Sequence, residues 1–245
     1  MRTLSGKTYW LVGASEGLGR ALALKLSQAG CNLVLSARGT DSLEALTREL
    51  PGNARVVPCD VSDRASVVRA AQAAGEFDGL VFLAGVYWPF PASEWNAEQT
   101  EAMFDINLTG AARVLGQVVP MMVARKSGHI VLTGSLSGYR GLPGSIGYSS
   151  SKAGLMHLAE SMHCDLRGSG VDVQLANPGF IRTRLTDKNT FSMPFLMEPA
   201  QAAGEIVTLM RQTRFQRAFP WLFSLVFRGG NFLPDWAYYR IFGAR

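Results

Sequence analysis

Tyr148 and Lys152 stand four residues apart in Tyr148-Ser149-Ser150-Ser151-Lys152, a spacing that stacks two side chains on one face of a helix. An ammonium beside a phenol favours the phenolate and lowers a pKa that is about 10 when unperturbed. A phenol so tuned can trade a proton with an alcohol or ketone oxygen at about pH 7. Taken alone, the same spacing also describes a solvated pair on an exposed helix. Upstream, Ser135 in Gly134-Ser135-Leu136-Ser137-Gly138 follows an apolar run ending at Thr133. A serine at the carboxyl edge of a sheet can hydrogen-bond a carbonyl oxygen and fix its position. Asn107, in Asn107-Leu108-Thr109-Gly110, falls within a helical pattern that asparagine suits poorly. Such a misfit marks either a functional side chain or an asparagine satisfied inside the core.

These residues need a scaffold, and the apolar runs supply one. Strands are expected at residues 8–12, 32–36, 55–58, 79–84, 130–133 and 171–176. Helices are expected at 18–28, 43–50, 65–74, 102–123, 149–167 and 199–212. The strands are almost wholly apolar instead of alternating, as a sheet buried on both faces requires. Strand–helix alternation with right-handed crossovers predicts a doubly wound, Rossmann-type α/β fold, a parallel sheet with helices on both faces. With no linker and no repeat, residues 1–245 read as a single dinucleotide-binding domain.

Directly after the first strand comes Gly13-Ala14-Ser15-Glu16-Gly17-Leu18-Gly19, opening a helix. Glycines there permit a tight turn and let the backbone approach a pyrophosphate at the helix N-terminus. Ser15 adds a hydroxyl donor. The second strand ends at Ser36-Ala37-Arg38, where this fold commonly puts a carboxylate on the ribose 2′-hydroxyl. Ala37 removes that carboxylate, and the Arg38 guanidinium can bind a 2′-phosphate, which predicts NADP(H) over NAD(H). The alternative is Arg38 as an ordinary surface residue. Asp60-Val61 could meet the adenine; Asp60 could instead cap the next helix, with Ser62 and Asp63 competing for that role.

At 245 residues the chain can bury a full core. The net charge of +5 comes from basic residues scattered along the chain, with no basic run interleaved with aromatics, so no nucleic-acid partner is expected. Cys31, Cys59 and Cys164 have no paired spacing, and His129, His157 and His163 are equally dispersed, so no metal site is expected. The N-terminus shows no signal-peptide apolar region; with free cysteines, this predicts a cytoplasmic setting.

Up to about Thr183 the chain resembles the short-chain dehydrogenase/reductase family. The matching motifs are the Gly13–Gly19 cluster, Asp60, Ala84-Gly85, Asn107, Ser135, Tyr148, Lys152 and Pro178-Gly179 followed by Thr183. The resemblance implies an NAD(P)-dependent oxidoreductase of carbonyls and alcohols (EC 1.1.1.-). In it Tyr148 is the general acid/base, Lys152 lowers its pKa and holds the nicotinamide ribose, and Ser135 orients the substrate oxygen. Asn107 completes a proton relay through a water and the lysine. Pro178-Gly179, Thr183 and the Ile181 backbone contact the nicotinamide side. Homodimers or homotetramers are implied, with the helices near Asn107 and Tyr148 packing between subunits. Two positions depart from the family: Val12 replaces a threonine, and Leu83 replaces the asparagine before Ala84-Gly85. Packing is expected to rebuild the sheet support those polar groups give.

Tyr87, Trp88, Phe90, Ser137, Tyr139 and Phe180 are expected to flank the substrate, with residues 184–198 as the substrate loop carrying Phe191, Met193, Phe195 and Met197. That lining argues for a hydrophobic or bulky carbonyl or alcohol. After Phe215 the chain leaves the family pattern, and residues 219–245 form an aromatic extension. Arg228 and a glycine pair interrupt it well short of a membrane span. It could cover the pocket, join subunits, or touch a membrane surface, the last suiting a lipid-like substrate. Competing functions are a non-catalytic NADP(H)-binding redox sensor and an epimerase or dehydratase.

Overall fold

Strand segments apolar on both sides must be covered on both sides, and the elements do this in turn. The computed structural model describes residues 1–189 and 191–243. β1 (Thr8–Val12) leads through α1 (Gly17–Gln28), β2 (Asn32–Ser36), α2 (Asp41–Glu49), β3 (Ala54–Val56) and α3 (Arg64–Ala74) to β4 (Gly79–Phe82). α4 (Ala97–Phe104) then runs through a π-turn at Asp105–Thr109 into α5 (Gly110–Ala124). β5 (Gly128–Thr133), α6 (Ile146–Asp165), β6 (Val171–Pro178), α7 (Pro199–Met210) and β7 (Gln216–Phe219) complete the core, followed by α8 (Trp221–Gly230) and α9 (Asp235–Phe242).

All neighbouring strands pair parallel, in the order β3-β2-β1-β4-β5-β6-β7. The expected doubly wound sheet is therefore what the chain forms. Alternate residues of each strand serve opposite cores. Trp10, Val12, Leu80 and Phe82 pack with Val67, Val114 and Leu155 of α3, α5 and α6. Tyr9, Leu11 and Val81 pack with Leu22, Leu43 and Ile206 of α1, α2 and α7. Val12 lies opposite Ser36 on one side and Phe82 on the other, which brings three carboxyl ends level. Winding reverses between β1 and β4, and that reversal opens a crevice at the carboxyl edge.

Val12 and Leu83 join opposite cores, so apolar packing does occupy the two departing positions. A polar tie exists beside them: Trp10 Nε1 donates to Ser36 Oγ at 2.8 Å, and Ser36 Oγ donates to the Val57 carbonyl at 2.5 Å.

After Phe215, where no strand was expected, the chain adds β7, whose Phe219 pairs with Pro178 of β6. Gln216 and Arg217 hide it from an apolar-pattern reading, because edge pairing with β6, and not burial on two faces, holds it. The aromatic extension forms two helices, α8 and α9. Arg140 organises it, donating to the Gly230 and Leu233 carbonyls at 2.6 and 2.8 Å, pairing with Asp235 at 2.5 Å, and lying 3.9 Å from the Tyr238 ring centroid. Residues 190, 244 and 245 of the expected loop and extension lie outside the described residues.

Candidate active site

The turn after β1 needs its glycines. Gly13 has φ +98°, and a Cβ there would sit 2.5 Å from the Ala84 nitrogen. Only glycine lets the end of β1 lie against Ala84-Gly85. Gly17, at φ +52°, would put a Cβ 2.9 Å from Thr183 Cγ2. Glu16 precedes α1 without making a side-chain cap; its carboxylate pairs with Arg184 instead. The first amides of α1 thus keep no side-chain acceptor and present their positive end to the crevice.

The crevice has a volume of about 480 Å³. Gly13, Ser15, Gly17, Leu18 and Gly19 line its floor, with Arg38, Asp60 and Val61 at one end. Ala84, Gly85, Tyr148, Lys152, Pro178, Gly179, Ile181 and Thr183 line the other. Every residue expected to touch a dinucleotide therefore faces one cavity. Glu16, Ser42, Cys59 and Ile106 also line it and were not anticipated, and Arg184 and Leu185 of the expected substrate loop join them. Ser42, four residues beyond Arg38, was within reach of a sequence argument; Ile106 depends on the π-turn and was not.

Arg38 is exposed and makes no ion pair among the described residues. Asp60 accepts from the Ser62 amide and hydroxyl at 2.9 and 2.7 Å, and these bonds, helped by Arg38 and Arg113, hold its carboxyl below the usual range. Helix α3 is capped by Asp63, which accepts from the Ala65 amide at 2.8 Å. Of the two readings open for Asp60, the helix cap is thereby excluded.

Tyr148 and Lys152 sit in the first two turns of α6. Lys152 is buried, its Nζ donating to the Thr133 carbonyl at 2.8 Å and lying 5.8 Å from the Tyr148 ring centroid. Burial pushes the Lys152 ammonium down to about 8. Burial also pushes the Tyr148 phenol up to about 12, with the Ser135 hydroxyl drawing it back and Tyr87 raising it further. Burial thus sets the direction of the Tyr148 shift, while the Lys152 ammonium expected to acidify it is turned toward Thr133.

Ser135 is buried, with Oγ 2.9 Å from Ser137 Oγ and accepting from the Ser137 amide at 3.2 Å. Asn107 is fully buried in the π-turn. Its Oδ1 accepts from the Val86 amide at 2.7 Å, and its Nδ2 donates to the Val86 carbonyl and Ser151 Oγ, both at 3.0 Å. The side chain thereby fixes the backbone beside Gly85, where an added Cβ would approach Asn107 Oδ1 to 3.3 Å and Lys152 Nζ to 3.7 Å.

Above this floor, Tyr87 packs edge-on against Tyr148 with centroids 4.9 Å apart. The Tyr87 hydroxyl donates to Asn189 Oδ1 at 2.9 Å, and Lys188 Nζ donates to the Tyr87 carbonyl at 2.7 Å and lies 4.5 Å over Trp88. The expected substrate loop is therefore latched over Tyr148. Phe180 meets Phe191 and Phe223 at 5.8 Å each, and Phe195 stacks on Phe223 at 5.4 Å. Phe90 is buried in a bridge with Ser145, and the half-buried Tyr139 accepts from Asn177 Nδ2 through its hydroxyl at 3.0 Å.

A nicotinamide dinucleotide fits these walls. Among the described residues the α1 amides lack a side-chain cap and Thr133 Oγ1, buried at the wall, has no partner, while Gly13 and Gly17 keep the turn clear of Cβ atoms.

Fold and crevice define a class, the dinucleotide-fold oxidoreductases. The short chain dehydrogenase family matches residues 7–193, and the chain belongs to this short-chain dehydrogenase/reductase family. It is 38% identical over 242 residues to an uncharacterized oxidoreductase of Myxococcus xanthus, covering 96% of each chain. It is 32% identical over 192 residues to a 3-oxoacyl-acyl-carrier-protein reductase of Thermotoga maritima, covering 76% of this chain and 78% of that one. A short-chain dehydrogenase/reductase of Burkholderia phymatum, solved in complex with NAD, superposes with a TM-score of 0.86 at 25% identity over 93% and 94% of the two chains. The chain is thus an oxidoreductase with an NAD(P)-type cofactor and a small-molecule substrate.

Proposed function

We propose that the protein is an NADP(H)-dependent reductase of a hydrophobic or bulky carbonyl compound, with Tyr148 as proton donor. The observation that carries this reading is the placement of Tyr148 and Lys152 in the wall of the same crevice as the glycine turn and Arg38. A phenol held at about 12 is fully protonated at neutral pH, the state that reduction of a ketone needs. Ser135 hydrogen-bonds the substrate oxygen and orients it toward the phenol. Lys152 keeps positive charge beside Gly85 and binds the ribose hydroxyls. Asn107 acts by holding Val86, Gly85 and the π-turn in place.

The α1 N-terminus with Gly13–Gly19 would hold the pyrophosphate, Arg38 the 2′-phosphate and Asp60-Val61 the adenine. Pro178-Gly179, Ile181 and Thr183 would hold the nicotinamide side. When bound, the nicotinamide supplies the hydride that reaches the carbonyl carbon. Phe180, Phe191 and Phe195 favour an apolar substrate body, and the Thermotoga maritima relative's acyl-chain substrate is of that kind. One domain performs both binding tasks, and α4–α5 with α6 offer the faces for a homodimer or homotetramer.

The test is NADPH oxidation with apolar ketones, aldehydes and 3-oxoacyl thioesters. Turnover of at least one bulky apolar carbonyl is expected. Tight NADPH binding with no turnover of any would favour the non-catalytic sensor.

A further inference from the structure

α8 is apolar on its outer as well as its inner face, with Arg228 its one charged residue, a pattern unusual for a helix at a water surface. Phe223 and Phe227 face inward, and Phe223 touches Phe180 and Phe195. Trp221, Leu222, Leu225 and Val226 form the opposite stripe and are exposed, Trp221 by 69%. Phe232 and Trp236 follow, exposed by 90% and 75%, with Tyr239 and Ile241 beyond them.

The charges carried by the extension itself have one sign available. Between residues 218 and 243 the only charged side chains are Arg228, Asp235 and Arg240. Asp235 is bound by Arg140, whereas Arg228 and Arg240 are exposed and make no ion pair among the described residues.

We propose that α8 and α9 are a docking face for an anionic phospholipid bilayer. Exposed Trp and Tyr rings suit the headgroup layer, and the Arg stems can lie along the apolar surface while their heads reach phosphates. At ten and eight residues the helices are far too short to span a bilayer, so they lie in its interface plane. A second copy of the chain fits less well. A two-fold contact would set this patch against itself, and the extension's own acid, Asp235, is already held by Arg140 and offers no partner to Arg228 or Arg240. Docking needs nothing from the proposed reaction. Its consequence does rest on that reading: the inner face of α8 supports the substrate loop, so an apolar carbonyl compound dissolved in lipid would meet the loop at the membrane surface.

The test is co-sedimentation of the full chain with phosphatidylcholine vesicles, with and without phosphatidylserine. The protein should pellet with the phosphatidylserine vesicles and be released by high salt. Combining Arg228→Gln with Arg240→Gln should lower partitioning by about thirty-fold, and combining Trp221→Ser with Leu225→Ser should abolish it. Both variants should keep NADPH binding and turnover of a water-soluble ketone, which separates failure of docking from failure of the reductase reading. The proposal is overturned if the protein stays in the supernatant, or if either variant pellets as the parent does. It is also overturned if light scattering shows that the Trp221/Leu225 variant dissociates an oligomer while the parent ignores vesicles; the face then belongs to a second copy.

Discussion

Asn107 grips Val86 by both backbone groups, accepting from its amide at 2.7 Å and donating to its carbonyl at 3.0 Å. A side chain that mimics a strand partner in this way secures backbone where no strand continues. β4 stops at Phe82, yet Ala84 and Gly85 must hold position in the cofactor wall.

Replacing Asn107 with Leu leaves both Val86 groups without their side-chain partner, at up to about 1 kcal/mol for each, since Val86 is half-buried at the crevice. A lower melting temperature and a weaker NADPH affinity are expected together, by calorimetric melting and by titration. Asn107→Asp keeps the acceptor and should fall between Leu and the parent. Melting unchanged in the Leu variant would show that the Val86 clamp carries no load.

Arg38 is the separable element of cofactor choice. A charge-assisted hydrogen bond contributes about 1.5–3 kcal/mol, so Arg38→Asp should weaken NADPH binding by roughly 10- to 100-fold. NADH has no 2′-phosphate and should be little affected. Fluorescence titration with both cofactors decides this, and equal weakening of both would discard the 2′-phosphate assignment.

At the opposite edge of the sheet, His129 is buried between Tyr9, Gln174 and Arg2, at 2.8, 2.9 and 3.0 Å. Burial pushes its imidazole from 6.5 down to about 3, with the Arg2 charge acting the same way. The unfolded chain therefore binds a proton that the folded chain refuses between those values. This contribution is complete above 6.5 and is lost as pH falls toward 3. Urea unfolding across that range should show stability declining, and His129→Gln should flatten the decline. An equally steep decline in the variant would assign it to other groups.

Much of this site can be read from residue order. Gly13, Arg38, Tyr148 and Pro178 fall at strand ends or helix starts, and local pattern places them there. What resisted reading depends on tertiary surroundings. The π-turn around Asn107 forms because its side chain is claimed by Val86 and Ser151, from other segments. The direction of the Tyr148 shift follows from enclosure, with Tyr87 against its ring, which the Tyr-x-x-x-Lys spacing does not encode. β7 is too short and polar to announce itself, and α8 resembles a core helix because its exposed stripe is as apolar as its buried one.

The central claim is that Tyr148 donates the proton, and comparing turnover with cofactor binding in Tyr148→Phe tests it most directly. The variant keeps the ring that packs on Tyr87 and removes only the hydroxyl. A loss of about 10²–10⁴-fold in kcat is expected, with the NADPH dissociation constant nearly unchanged. Turnover equal to that of the parent would contradict the account.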